Sequence, residues 1–73
     1  MSEAGIQVNV NGEAVRVAGG STVADLLRTL SLEPSRVAVE YNLRVLPRAE
    51  HGTVRLNHGD RLEIVTFVGG GAA

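Results

Sequence analysis

Ile6, Val8 and Val10 alternate with Gln7 and Asn9, the period of two expected of a strand with one buried face. Asn11-Gly12 interrupts the alternation. It is a strong hairpin signal, because both central positions of a type I′ turn take positive φ. Val15 and Val17 then alternate with Ala14 and Arg16, so the pattern predicts a β-hairpin over residues 5–18. Gly19-Gly20 breaks the strand, and the period changes. Val23, Leu26, Leu27 and Leu30 fall at i, i+3, i+4 and i+7 as one apolar helical stripe, with Asp25, Arg28 and Thr29 on the other face. Thr22 is placed to cap this helix, and Asp25 three residues later completes a capping box. The helix is expected to end near Ser31, since Pro34 cannot continue it. At about ten residues it cannot persist alone and must pack its stripe on a sheet.

The second half returns to short apolar segments. Val37 and Val39, separated by Ala38 and followed by Glu40, predict a strand ending at Tyr41-Asn42. Leu43 to Leu46 reads as a short strand stopped by Pro47, and residues 48–53 as a loop or a single helical turn. Val54-Arg55-Leu56 reads as a further short strand, and Asn57-His58-Gly59-Asp60 as a turn. Arg61 to Val68 is the last strand, with Leu62 and Ile64 on one face and Glu63, Val65 and Phe67 on the other. The order β-β-α-β-(β)-β places one helix on one face of a mixed sheet, an α+β arrangement of β-grasp, or ubiquitin-like, topology. Residues 1–68 are expected to form this single domain and residues 69–73 a flexible tail. The opposite sheet face is left for solvent or a partner.

Composition narrows the functions open to such a domain. At 73 residues the chain allows one domain, which buries only about 60% of the surface of its unfolded form. Eleven valines and eight leucines must supply most of the core, because Tyr41 and Phe67 are the only large aromatics. A catalytic pocket would hollow out that core, which argues against an autonomous enzyme. There is no Cys, hence no disulfide framework, thiolate nucleophile or Cys-ligated metal. There is no Lys either: all seven basic residues are Arg, which excludes Schiff-base chemistry. A net charge of −1 lacks the positive field of nucleic-acid binders. No apolar run approaches the roughly 20 residues that span a bilayer. Met1-Ser2-Glu3-Ala4-Gly5 lacks a signal pattern, so the expected location is the cytoplasm.

Candidate chemistry outside the tail is sparse. His51 and His58 read as solvated loop histidines, and with no Cys and no clustered carboxylates no metal site is expected. Glu40 and Glu50 can be imagined as an acid/base pair but read as solvated surface. Arg44, Arg48, Arg55 and Arg61 read as a solvated rim, and Asn42 and Asp60 as turn residues bonded to backbone. Gly69-Gly70-Gly71 is more unusual, because three glycines directly after a strand add nothing to packing and carry maximal conformational entropy. They are either a frayed end or an arm that threads a narrow channel. A phosphate cradle would need a helix to follow, and none does. Val65, Phe67 and Val68 beside them read either as scattered surface hydrophobes or as a docking patch.

Taken together, certain short motifs are fairly specific. They are the strand-Asn-Gly-Glu hairpin, Thr22-Val23-x-Asp25-Leu26-Leu27, Val39-Glu40-x-Asn42, Pro47-Arg48, Gly59-Asp60 and Ile64-Val65-x-Phe67-Val68-Gly69-Gly70-Gly71. In this order and spacing, from Ile6 to Gly71, the chain resembles the small sulfur carrier proteins of thiamine biosynthesis (ThiS type). The small subunit of molybdopterin synthase shares the implied fold and the Gly-Gly end. It is less similar around Glu40-Tyr41-Asn42 and Pro47-Arg48.

The resemblance implies a carrier with no catalytic residue and no cofactor of its own. It implies that a ubiquitin-activating-like enzyme uses ATP-Mg to adenylate the carboxylate of Gly71. A sulfur donor such as a cysteine desulfurase then supplies sulfur for a thiocarboxylate, which thiazole synthase consumes. Gly69 and Gly70 would thread the tail, and Val65, Phe67 and Val68 would dock the partners. Ala72-Ala73 departs from a pattern that ends at Gly-Gly, so activation at Gly71 is expected to require a protease. Relatives serving homocysteine, cysteine or molybdopterin synthesis remain alternatives, as does a ubiquitin-like binding module without covalent chemistry.

Overall fold

The computed structural model describes residues 5–67. Val68, Gly69, Gly70, Gly71, Ala72 and Ala73 lie outside the described residues. Strands β1 (Gly5–Val10) and β2 (Glu13–Ala18) form the expected hairpin, paired antiparallel from Gly5↔Ala18 to Val10↔Glu13. Helix α1 (Val23–Thr29) follows, then β3 (Val37–Tyr41), β4 (Arg44–Leu46) and β5 (Arg61–Thr66). The sheet order is β2-β1-β5-β3-β4. Parallel pairing of β1 with β5 joins the hairpin to the antiparallel β5-β3-β4 half. This mixed five-stranded sheet with one helix is the β-grasp arrangement.

The helix caps itself at both ends with local groups. At its start the Thr22 N–H donates to Asp25 Oδ2 at 2.9 Å and the Asp25 N–H donates to Thr22 Oγ1 at 3.1 Å. The two bonds satisfy orphan donors of the first turn. Those Thr22 contacts, aided by Arg28, hold the Asp25 carboxyl below its ordinary pKa. At its end the Ser31 N–H reaches Arg28 O and the Leu32 N–H reaches Leu27 O, with Ser31 at φ 61. That is a Schellman closure with serine where glycine is usual. It stops the helix at seven residues, shorter than the stripe suggested. Pro34 then opens a 3₁₀ turn, Pro34–Arg36, that periodicity did not reveal.

The stripe is buried as expected. Val23, Leu26 and Leu27 are fully buried against Val8, Val10, Val37, Val39, Leu62 and Ile64, with Leu46 and Leu56 closing the edges. Leu30 and Leu32 flank this core and are half-buried.

Three readings need correction. Val54-Arg55-Leu56 is not a strand of the sheet. It is an extended segment clipped to the helix cap by the Thr22↔Arg55 bridge and by bonds from Leu56 N–H to Ser21 O (2.8 Å) and Val23 N–H to Val54 O (3.1 Å). The second concerns strand bounds: Leu43 belongs to a turn, not to β4, and β5 ends at Thr66 rather than Val68. The third concerns His51, which is buried rather than solvated at 4% exposure. A 3₁₀ turn, Arg48–Glu50, leads into it, and its carbonyl accepts the Ala24 N–H at 2.8 Å. That bond pins residue 51 against the first turn of α1 and carries its ring inward with neither ring nitrogen partnered. Among the described residues no helix is long and apolar enough to cross a membrane.

Candidate functional site: the open sheet face

Side chains of a strand alternate between faces, so burying Leu62 and Ile64 under the helix turns Glu63 and Val65 outward. The sequence placed Val65 and Phe67 on this face, and the structure keeps both exposed, at 60% and 53%. Val65 stands opposite Ala38 of β3. Phe67 follows the end of β5, and its N–H donates to Arg36 O at 2.8 Å, which fixes where the chain leaves the sheet toward Gly69-Gly70-Gly71. Val65 and Phe67 therefore stand at the C-terminal end of β5.

Sequence reasoning missed two exposed apolar residues. Val45 of β4 is 75% exposed and Leu43, in the turn before it, 80%. Val45 was recoverable, because Leu46 pairs with inward Val39 and its neighbour must then point outward beside Glu40. Leu43 was not. It occupies the second position of a two-residue turn at φ 73, after Asn42 at φ 50. Bulky side chains are rare in that region, so nothing in the residue type signals it.

A polar brace holds the turn in place. The Asn42 N–H donates to Arg61 O at 2.8 Å, and Asn42 Oδ1 accepts the Arg61 N–H at 2.9 Å. Asn42 Nδ2 donates to Asp60 Oδ1 at 3.2 Å. Asp60, a buried carboxylate, also accepts Tyr41 Oη at 2.7 Å and the Asn57 N–H at 2.8 Å. Burial, seconded by the neighbouring Asp60 carboxylate, pushes the Tyr41 hydroxyl above its ordinary pKa. Asn42 and Asp60 thus do bond turn backbone, as their types suggested, and also bond each other.

The other candidates stand apart. His58 is exposed, with Nδ1 accepting the Gln7 N–H at 3.1 Å. Among the described residues no group of three or more His, Cys, Asp or Glu side chains is placed to hold a metal. Glu50 lies on the second 3₁₀ turn, whereas Glu40 lies on β3 opposite Glu63, so the structure pairs Glu40 with a different carboxylate. Arg44, Arg48, Arg55 and Arg61 are all exposed.

Comparison with known proteins bears on the whole chain. The model of the ThiS family matches residues 4–71. A thiazole synthase of Paramagnetospirillum magneticum is 43% identical over 63 residues, which make up 86% of this chain and 19% of that protein. A second thiazole synthase, from Magnetococcus marinus, is 39% identical over 66 residues, 90% of this chain and 20% of that one. The chain therefore spans about a fifth of the length of these two relatives. The sulfur carrier protein ThiS of Bacillus subtilis is 42% identical over 50 residues, covering 68% of this chain and 76% of its own. Among solved structures, the thiamine biosynthesis protein ThiS of Geobacter metallireducens superposes with a TM-score of 0.76 at 33% identity. That superposition covers 90% of this chain and all of the other.

Proposed function

The chain belongs to the ThiS family of sulfur carriers, and on that premise we propose that Gly71 carries the sulfur, as a C-terminal thiocarboxylate used to build the thiazole of thiamine. The observation that carries this reading is the span of the family match, which runs through Gly69-Gly70-Gly71 and includes the exposed strand end leading into them. Relatives named thiazole synthase support the choice of pathway, since each includes a stretch similar to this chain within a longer protein.

The chemistry divides between carrier and partners. A free carboxylate is a poor electrophile. A ubiquitin-activating-like enzyme, using ATP-Mg as its own substrate, would join the Gly71 carboxylate to AMP and release pyrophosphate. AMP is a good leaving group, so the terminal sulfur of a donor persulfide, such as that of a cysteine desulfurase, displaces it to form an acyl disulfide, and a thiol reductant then breaks the S–S bond to leave a nucleophilic thiocarboxylate for thiazole synthase. Gly69 and Gly70, lacking Cβ, thread the narrow approach to both active sites. Val65 and Phe67, with Val68 beyond them, dock the partner, as exposed aromatic and aliphatic anchors do at interfaces. The chain supplies no catalytic residue to these steps. A chain without Cys or Lys has no side-chain thiol to take the sulfur and no side-chain amine to capture the activated tail.

Ala72 succeeds Gly71 in the chain, so a carboxylate at Gly71 exists only after a protease cuts between Gly71 and Ala72. Intact-mass spectrometry tests the reading. Chain cut back to Gly71 and chain retaining Ala72-Ala73 are each incubated with the adenylating enzyme, ATP-Mg and a sulfur donor. Only the trimmed chain is expected to gain the mass of exchanging one oxygen for sulfur. A thiocarboxylate on the untrimmed chain, or none on either, overturns it. Partner binding that survives deletion of residues 70–73, with no thiocarboxylate formed on the trimmed chain, would point instead to a binding module without covalent chemistry.

A further inference from the structure

Of the chain's four asparagines, Asn9, Asn11, Asn42 and Asn57, only Asn11 is followed by glycine. Asparagine before glycine is prone to deamidation. The backbone nitrogen of the next residue attacks the side-chain carboxamide, and glycine has no side chain to obstruct it. In the folded chain both reacting groups are occupied. The Asn11 carboxamide is held at Ile64, with Oδ1 accepting the Ile64 N–H at 2.7 Å and Nδ2 donating to Ile64 O at 3.0 Å. The Gly12 N–H donates to Asn9 Oδ1 at 3.0 Å. A succinimide ring cannot close until the carboxamide leaves Ile64 and the Gly12 nitrogen leaves Asn9. These bonds also lie at the joint between the two halves of the sheet. Strands β1 and β5 pair at Asn9↔Arg61 and Val10↔Leu62, and the bonds of Asn11 to Leu62 O (2.9 Å) and to Ile64 extend that joint past the end of β1.

We propose that Asn11 is a site of spontaneous deamidation that the native fold withholds, and that its conversion weakens the closure of the hairpin onto β5. In the open state the Gly12 nitrogen gives its proton to solvent and bonds to Asn11 Cγ, while the Cγ–Nδ2 bond breaks and ammonia leaves. Water then opens the succinimide at one of its two carbonyls, giving aspartate or isoaspartate. Water is the only co-reactant, and no atom changes oxidation state. Either product is a carboxylate, which accepts hydrogen bonds and has no N–H to give. It faces Ile64 O with an acceptor where Nδ2 had donated, and isoaspartate also adds a methylene to the backbone of a two-residue turn. The clasp is thus damaged by the reaction it holds off. Local opening of the hairpin from β5 sets the rate, so the modification accumulates with time spent partly unfolded.

Peptide mapping by mass spectrometry tests this on the natural chain, incubated at one pH and temperature in native buffer and in denaturing guanidinium chloride. In denaturant Asn11 is expected to convert ahead of Asn9, Asn42 and Asn57. In native buffer its conversion is expected to be at least about tenfold slower, because the turn must first open. Equal rates in the two conditions overturn the protection. Conversion of Asn42 or Asn57 as fast as Asn11 in denaturant overturns the choice of site. The converted chain carries one more negative charge, so ion exchange separates it from unconverted chain of the same sample. After return to native buffer it is expected to unfold at a lower denaturant midpoint and to exchange its residue 9 and residue 11 amides faster, since these donate to Asp60 O and Leu62 O across the joint. A midpoint and exchange equal to those of the unconverted chain overturn the claimed damage to the clasp.

Discussion

Two turns in this fold have the same shape and different chemistry. Asn11-Gly12 joins β1 to β2, and Asn42-Leu43 joins β3 to β4. Each is a two-residue loop with both residues at positive φ: 51 and 88 in the first, 50 and 73 in the second. Each begins with an asparagine clasped to β5. The Asn11 N–H reaches Leu62 O at 2.9 Å, while its side chain accepts from Ile64 N–H at 2.7 Å and donates to Ile64 O at 3.0 Å. Asn42 does the equivalent at Arg61 and Asp60. The second residues differ. Glycine takes positive φ without a steric penalty, whereas leucine does not. Both turns are clasped by tertiary contacts, and only the second holds a bulky apolar side chain in left-handed backbone. Leucine keeps this backbone conformation because the contacts of Asn42 with Asp60 and Arg61 hold the turn.

The sharpest way to break the comparison is to remove the brace. Asp60→Ala leaves the Asn57 N–H and the Tyr41 hydroxyl without their partner and is expected to destabilise the fold by about 2–3 kcal/mol. Amide exchange should accelerate at the second turn and remain slow at the first. Equal acceleration at both turns would show that the brace is not local. Gly12→Val puts a β-branched residue at φ 88 and is expected to cost about 1–2 kcal/mol in a denaturant titration. A neutral result would show that the first turn tolerates the side chain as the second does.

Tyr41→Phe removes one hydrogen bond to Asp60 and is expected to cost about 1 kcal/mol at neutral pH. It also carries a pH signature. The folded state raises the Tyr41 pKa, so the hydroxyl's contribution is full below the unfolded value of about 10 and is lost as pH rises through the folded value. The natural chain should lose stability over that alkaline range, and Tyr41→Phe should lose less. The smallest effect belongs to Leu43→Gly, expected to change stability by less than about 0.5 kcal/mol because released strain offsets added freedom of the unfolded chain. A large loss would show that Leu43 supports the fold despite its exposure.

The same contrast marks how far the sequence could be read. Alternation in β1, β2 and β5, the Asn11-Gly12 signal and the Thr22/Asp25 box are local patterns whose meaning travels with the residues. They carried the element order, the buried stripe and the outward placement of Val65 and Phe67. Val54-Arg55-Leu56 misled because an apolar–polar–apolar triplet looks the same whether its backbone pairs in a sheet or with a helix cap. His51 misled because a histidine in a loop segment gives no sign of which way a 3₁₀ turn will carry its ring.

The sequence alone therefore determined the periodicities, the caps, the absence of thiol and amine side chains and the glycine-rich tail, because each is a property of residue type and spacing. Tertiary structure decided which residues from distant segments face one another. Glu40 meets Glu63 only through strand register, and Asn42 meets Asp60 only because β5 lies beside β3. Leu43 stays in left-handed backbone only because that contact holds the turn. Such pairings depend on the closure of loops between segments far apart in the chain, and no local pattern encodes them.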